Sequence, residues 1–254
     1  MPHVVSCRLS SYGNHADLAW SHLPTLGIRN VEIPIPSPDR IDPIRNLLEA
    51  NGLSVASFQG RCDLGDSDMA SSIAAQCDVC EAFGAPRLFV SVKAGDLDRR
   101  LVYDRLRAAG DQAARRRVIV MLETHPDLVT NGQVGAQTMS AVNHPNVRIN
   151  FDTANVYYYN QGADAVVELR KVLDYVEGVH LKDTDGGYHR HYFPVLGEGV
   201  VDFPRIVKLL MERGYSGPFT MELEGMAGVE MTAEEQKKYV ADSAAYLRRI
   251  GLLA

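Results

Sequence analysis

Long apolar runs are missing from this chain: none approaches the ~20 residues of a membrane span, so no membrane-crossing segment is expected. A basic excess is missing too. Against 32 Asp and Glu there are 26 Lys and Arg, for a net charge of −6 and a pI near 5.7. Broad nucleic-acid binding and docking on an anionic membrane both need a basic face, so neither partner is expected. Cysteine is scarce, at 7, 62, 77 and 80. Met1-Pro2-His3 runs into a strand pattern with no basic, apolar, cleavable leader, and a reducing, cytoplasmic setting is expected. Cys77 and Cys80 form a C-x-x-C, but no second Cys/His pair has zinc spacing. They fall among Ile73, Ala74, Val79 and Phe83, and are expected to be small residues on a buried helix face. Finally, SCRLSSYGN follows the first strand pattern where a doubly wound dinucleotide fold would carry G-x-G-x-x-G.

What is present is alternation. The chain is 254 residues long and 46% hydrophobic, enough for a large core without disulfides or structural metals. Short β-rich apolar runs at 4–9, 31–35, 53–58, 87–92, 117–122, 147–151, 178–181 and 218–223 predict strands. Between and after them, helical periodicity predicts helices at 17–26, 39–50, 66–83, 98–116, 131–142, 163–175, 203–213 and 232–249. Gly27, Asn51-Gly52, Gly84, Gly214 and Gly251 supply stops, and Asp202 supplies an N-cap before Phe203-Pro204. Eight strand-plus-helix units imply a parallel sheet with right-handed crossovers, and at this length a single (β/α)8 barrel spanning 1–254.

In such a barrel, chemistry sits at the C-terminal ends of the strands. The last four strands each bring a metal-ligand residue type there: Glu123, Asp152, His180 and Glu222, with Glu224 as the rival to Glu222. Three carboxylates on one rim repel one another and raise each other's pKa, and a divalent cation relieves that repulsion. Three oxygen ligands and one imidazole suit six-coordinate Mn²⁺, Mg²⁺, Co²⁺ or Fe²⁺, while Zn²⁺ more often takes more nitrogen or sulfur. The expected cofactor is one divalent ion, Mn²⁺ first. Further candidates for substrate contact are Gln59, Arg61, Lys93, His125, Lys182, Asp183, His189, Arg190 and His191. For Lys182 an ion pair is the plainer role, and the turn Gly197-Glu198-Gly199 is expected to reverse the chain. Tyr157-Tyr158-Tyr159 could wall a sugar site, pack internally or touch a second copy, which leaves a homo-oligomer open.

The segments MLETHP (121–126), INFDTAN (149–155), VHLKD (179–183), LGEGVVDF (196–203) and GPFTMELEG (217–225) resemble the xylose isomerase-like barrel superfamily. That superfamily comprises sugar (phosphate) isomerases and epimerases, inosose dehydratases and isomerases, and type IV apurinic endonucleases. The resemblance implies that Glu123, Asp152, His180 and Glu222 are metal ligands, that Glu123 and Glu222 are also the acid/base pair, and that His125 and Arg190 contact substrate. Departures are instructive. Asn155 stands where the nuclease branch has a metal-binding histidine, and His189-Arg190-His191 lacks its aspartate, so one metal is expected. Val129 stands where the ketose 3-epimerase branch carries a further glutamate. The resemblance implies a metal-dependent sugar or cyclitol isomerase/epimerase acting through an enediolate on a small polyol. Dehydration of an inosose, keto-sugar or dehydroshikimate-like substrate is the alternative, followed by a nuclease or a non-catalytic sugar-binding barrel. The absence of an evident phosphate cradle favours an unphosphorylated substrate.

Overall fold

The computed structural model describes residues 3–254; Met1-Pro2, the start of the chain, lies outside the described residues. Eight strands close into a parallel barrel in chain order. They are β1 (Val5–Arg8), β2 (Asn30–Pro34), β3 (Ser54–Gln59), β4 (Arg87–Val90), β5 (Ile119–Glu123), β6 (Val147–Asp152), β7 (Val176–Leu181) and β8 (Phe219–Met221). β1 pairs with both β2 and β8, which closes the cylinder. Around it lie α1 (Leu18–Thr25), α2 (Ile41–Asn51), α3 (Met69–Ala82), α4 (Arg99–Ala114), α5 (Gly132–Val142), α6 (Asn155–Tyr159), α7 (Ala165–Val172), α8 (Phe203–Glu212) and α9 (Ala233–Arg249).

Strand alternation sorts the side chains into two environments. Val31, Ile33, Val120, Leu122, Phe151, Val179 and Phe219 face the helices and belong to one buried apolar cluster with helix residues such as Leu106, Leu169, Ile206 and Leu247. The residues between them face the barrel interior, where Met121 and Phe89 stand among polar groups: Ser6 and Thr220 hydrogen-bond at 2.6 Å, and Glu32, Ser57, Asn150 and His180 are all buried. The apolar coat thus stabilises the cylinder, and its inner wall is left for chemistry.

Five helix starts carry side-chain caps. Asp98, Asn131, Asp164 and Asp202 accept hydrogen bonds from first-turn amides, and Thr232 with Glu235 forms a capping box at α9. Cys77 and Cys80 lie buried on α3, as their apolar neighbours implied. Burial pushes the Cys77 thiol up to about 12, which suits packing and not redox chemistry. Two elements depart from the expected alternation. A run of 3-10 turns, Leu9–His15, follows β1, and the short α6 precedes α7. β8 is also shorter than expected, so Glu222 stands one residue beyond it.

Candidate metal centre and active site

The four strand-end residues converge. Glu123 and Asp152 end β5 and β6, His180 lies within β7, and Glu222 follows β8; all four are buried. One ligand atom from each lies within 4.8 Å of the others. Register explains part of this. Asp152 is the cross-strand partner of His180, so the two project to the same side of the sheet.

Each carboxylate is oriented by the local chain. Asp152 Oδ1 accepts the amides of Ala154 and Asn155 at 2.9 and 2.8 Å, which turns Oδ2 into the barrel. That Oδ2 is buried and makes no hydrogen bond, although Lys182 Nζ lies 2.9 Å away off the hydrogen-bonding direction. Glu123 Oε2 accepts from Ser91 Oγ at 2.5 Å and lies 2.9 Å from His125 Nδ1, while Oε1 lies 3.2 Å from His180 Nδ1. Burial alone would raise the Glu123 pKa, but His125 and His180 outweigh it and hold the carboxyl well below its usual range. Glu222 Oε2 lies 3.1 Å from His180 Nδ1 and 3.0 Å from Lys182 Nζ, and Oε1 pairs with Arg8. His180 feels the opposite balance: burial lowers its pKa, but Glu32 and Glu123 carry it up to about 9.

The surroundings are strongly acidic. Among the described residues, Glu32, Glu123, Asp152, Glu222 and Glu224 face two fixed cations, Arg8 and Lys182, with the His180 imidazole between them. Lys182 reaches Glu224 at 2.8 Å as well as Glu222 and Asp152. Burial works against its charge, but Asp152, Glu224 and Glu123 outweigh burial and hold the ammonium protonated. A divalent cation fits this donor set. It would neutralise part of the acidic excess, share Asp152 Oδ2 with Lys182, and find three hard oxygens and one imidazole within 4.8 Å of one another.

Against Glu123 and Glu222 opens a cavity of about 320 Å³, at the small end of the ~300–1,000 Å³ usual for ligand clefts. Its lining includes Arg8, Gln59, Ser91, His125, Lys182, His191 and Glu224, with Phe89, Tyr158, Tyr159 and Phe193 as aromatic walls. His125, Lys182 and His191 are therefore brought to the site. Arg190 is not in that lining: its guanidinium pairs with Asp185 at 2.6 Å and lies over Tyr192. Tyr157 points instead at α7, where its hydroxyl accepts the Ala165 amide.

The long loop after β7 is organised by Asp183. Its carboxylate accepts the amides of Thr184, Gly197, Gly199 and Val201 at 2.8–3.2 Å. The turn Gly197-Glu198-Gly199 therefore does more than reverse the chain: it docks on Asp183 beside the cavity. Gly197 has φ +88°, and a Cβ at Gly199 would meet the Thr184 carbonyl and the Asp183 carboxylate.

Sequence reasoning passed over Arg8, Glu32 and Ser91. A signal for Glu32 was available: an acid alternating between Val31 and Ile33 in an otherwise apolar strand points into the barrel. Arg8 carried less signal, since a charged residue at a strand end is common on the surface.

A closed eight-stranded α/β barrel with three carboxylates and a histidine at its strand ends defines a (β/α)8 barrel with a candidate divalent-metal centre. Residues 22–250 match the family model described as "Xylose isomerase-like TIM barrel", and the chain belongs to that family. Among curated proteins it is similar to the L-ribulose-5-phosphate 3-epimerase UlaE of Escherichia coli (strain K12 / DH10B), 28% identical over 147 residues. That match covers 57% of this chain and 50% of UlaE; the chain thus aligns with about half the length of the curated relatives it matches. A xylose isomerase-like TIM barrel protein from Mycobacterium smegmatis, solved in complex with magnesium, shares the fold at a TM-score of 0.77 and 19% identity, covering 99% of this chain and 98% of that one. The probable 3-DHS dehydratase AsbF from Bacillus anthracis does so at 0.74 and 16%, covering 98% and 99%. At these identities the two structures establish likeness of fold. Among the described residues no helix is long and apolar enough to cross a membrane.

Proposed function

We propose that this chain is a divalent-metal-dependent sugar or cyclitol isomerase/epimerase, with Glu123, Asp152, His180 and Glu222 as ligands of one ion, Mn²⁺ first among the candidates. The observation that carries the reading is the convergence of those four buried donors, with Asp152 Oδ2 lacking a hydrogen-bond partner. Similarity to a 3-epimerase supports the reaction class. A bound ion would supply Lewis acidity at a substrate carbonyl and stabilise the enediolate left by proton removal.

The chain's own residues supply the rest. One of Glu123 and Glu222 takes the proton from the carbon next to the carbonyl, and the other returns it from the opposite side, which inverts that carbon. Return to the former carbonyl carbon gives aldose–ketose isomerisation instead. His125 and His180 hold Glu123 in the ionised form that accepts a proton. Arg8 holds Glu222 in place. Tyr158, Tyr159 and Phe193 offer flat apolar faces to the C–H side of a sugar and shield the site from water. His191 and Gln59 lie where they could bind hydroxyls.

The substrate is expected to lack a phosphate. Both fixed cations of the cavity, Arg8 and Lys182, are already held by carboxylates, and the acidic excess repels further negative charge. The test is metal content together with C–H exchange in D₂O, measured on free keto-sugars and their 5-phosphates. Wild-type protein should bind one divalent ion and exchange a substrate proton, and Glu222→Gln should keep the fold while losing exchange. Wild type without a bound ion refutes the proposal; turnover of the phosphates alone refutes its substrate part.

Dehydration is the second reading, favoured by one observation. Lys182 is a buried ammonium in the cavity lining beside Glu222, and loss of a β-hydroxyl as water needs a proton donor within reach of the leaving oxygen. A conjugated enone absorbance would support it, and full recovery of isomeric polyols would exclude it.

A further inference from the structure

Glu32 is a buried acid inside the barrel that the proposed ligand set and acid/base pair do not use. It projects from β2 into the barrel and is 2% exposed. Its Oε1 lies 3.0 Å from His180 Nε2, and its Oε2 accepts from Ser57 Oγ at 2.5 Å. Arg8 Nε stands 3.5 Å from the same Oε1. Glu123 and Glu222 approach the imidazole at its other nitrogen, Nδ1, at 3.2 and 3.1 Å. His180 is thus gripped at both nitrogens by different groups, and Phe89 packs edge-on at 4.8 Å between ring centroids.

We infer that Glu32 is a positioning residue for the metal centre: it holds His180 with Nε2 protonated and so presents the Nδ1 lone pair to the point where Glu123, Asp152 and Glu222 converge. The inference rests on the metal-centre reading above. A neutral imidazole has one N–H and one lone pair, and a carboxylate can only accept. Both nitrogens face carboxylates, so both can donate; an ion bound among Glu123, Asp152 and Glu222 would take the place of the Nδ1 proton, while Glu32 keeps the proton on Nε2 and so leaves the lone pair on Nδ1. A carboxylate on the far nitrogen of a ligand histidine also raises the basicity of the near one and fixes the plane of the ring.

The backbone is built for this contact. The β2–β3 register shifts between Val31 and Glu32: Val31 pairs with Val55, but Glu32 pairs with Ser57. Without that irregularity Glu32 would face Ala56, which has no hydroxyl to donate. A local bulge that re-aims a side chain is what sheets use beside functional sites. Ser57 then occupies one oxygen of Glu32 and turns the other to His180.

The experiment is a Mn²⁺ titration followed by electron paramagnetic resonance on wild type, Glu32→Ala, Glu32→Gln and Ser57→Ala. It is paired with ¹⁵N-histidine NMR of the Mg²⁺- or Zn²⁺-loaded proteins. Wild type should bind one ion per chain, with a one-bond proton coupling at His180 Nε2 and none at Nδ1. Glu32→Ala should weaken binding by about 10–100-fold, the range for loss of such a partner. Glu32→Gln, which keeps an accepting oxygen and the side-chain shape, should lie between, and Ser57→Ala should be the mildest. The isosteric Gln variant, checked by near-UV circular dichroism, keeps the test valid if Ala unfolds the protein. If wild type and the Glu32 variants bind Mn²⁺ within twofold of one another, or if Nδ1 carries the proton in the loaded protein, the positioning role falls while the metal centre stands. If wild type binds no ion, both fall.

Discussion

Removing the Asp183 carboxylate should unfasten the loop after β7 without dissolving the barrel. Asp183 is 1% exposed and accepts four backbone amides, from Thr184, Gly197, Gly199 and Val201. A hydrogen bond to a charged group contributes ~1.5–3 kcal/mol, so four empty donors would cost about 6–12 kcal/mol if the loop stayed docked. That rivals the ~5–15 kcal/mol that holds a whole domain together. The loop will instead detach and give its amides to water, so Asp183→Ala should lower global stability by only roughly 2–4 kcal/mol. The remainder should appear as local opening. Asp183→Asn should be milder, because its amide oxygen can still accept two of the amides while its NH₂ faces the other two. Urea unfolding measures the global loss, and hydrogen exchange at Gly197, Gly199 and Val201 measures the local one. Protection at those three amides should fall far more in Asp183→Ala than protection in β5 or β6. Unchanged exchange at all three would refute the clamp, however much the melting temperature moved.

Lys182→Met removes the ammonium from among Asp152, Glu222 and Glu224 and should cost about 3–5 kcal/mol in metal-free protein, as breaking a buried ion pair does. Added Mn²⁺ should then raise the melting temperature more in the variant than in wild type, because the ion takes over part of the lysine's neutralising role; an equal or smaller rise contradicts this. Gly199→Ala should destabilise by about 1–3 kcal/mol through the collision of its Cβ with Thr184 and Asp183, and a change under 0.5 kcal/mol (about one bond's lower limit) in urea would show that the loop yields freely. Folded wild type and a Cys77→Ser/Cys80→Ser double variant should release the same thiol signal with a disulfide reagent at pH 8, since burial holds the Cys77 thiol near 12. A fast extra thiol in wild type would make the C-x-x-C reactive after all.

The barrel was legible because its signals are local and repeated: apolar runs of strand length, helical periodicity, Asp and Asn caps, glycine stops. Glu123, Asp152, His180 and Glu222 were legible for a related reason. Each stands in or just after an apolar strand, where a polar residue has few roles other than chemistry. The inner network was not. Arg8 ends β1 and Glu32 sits inside β2, and only closure of the sheet brings Arg8 to Glu222 and Glu32 to His180. The bulge that pairs Glu32 with Ser57 is a matter of register, which no single strand encodes. The loop after β7 failed in the same way. His189-Arg190-His191 reads as one polar cluster, but a positive φ at His189 splits it. His189 stacks on Tyr188, Arg190 turns to Asp185, and His191 reaches the cavity. Short elements such as α6 depend on packing more than on pattern.

The central claim is that one divalent ion sits among Glu123, Asp152, His180 and Glu222. Anomalous diffraction at the manganese edge, from crystals grown with Mn²⁺, tests it most directly. The account predicts a single strong peak within coordinating distance of all four side chains, abolished in Asp152→Ala. Absence of a peak there, or a peak elsewhere in the barrel, would contradict it.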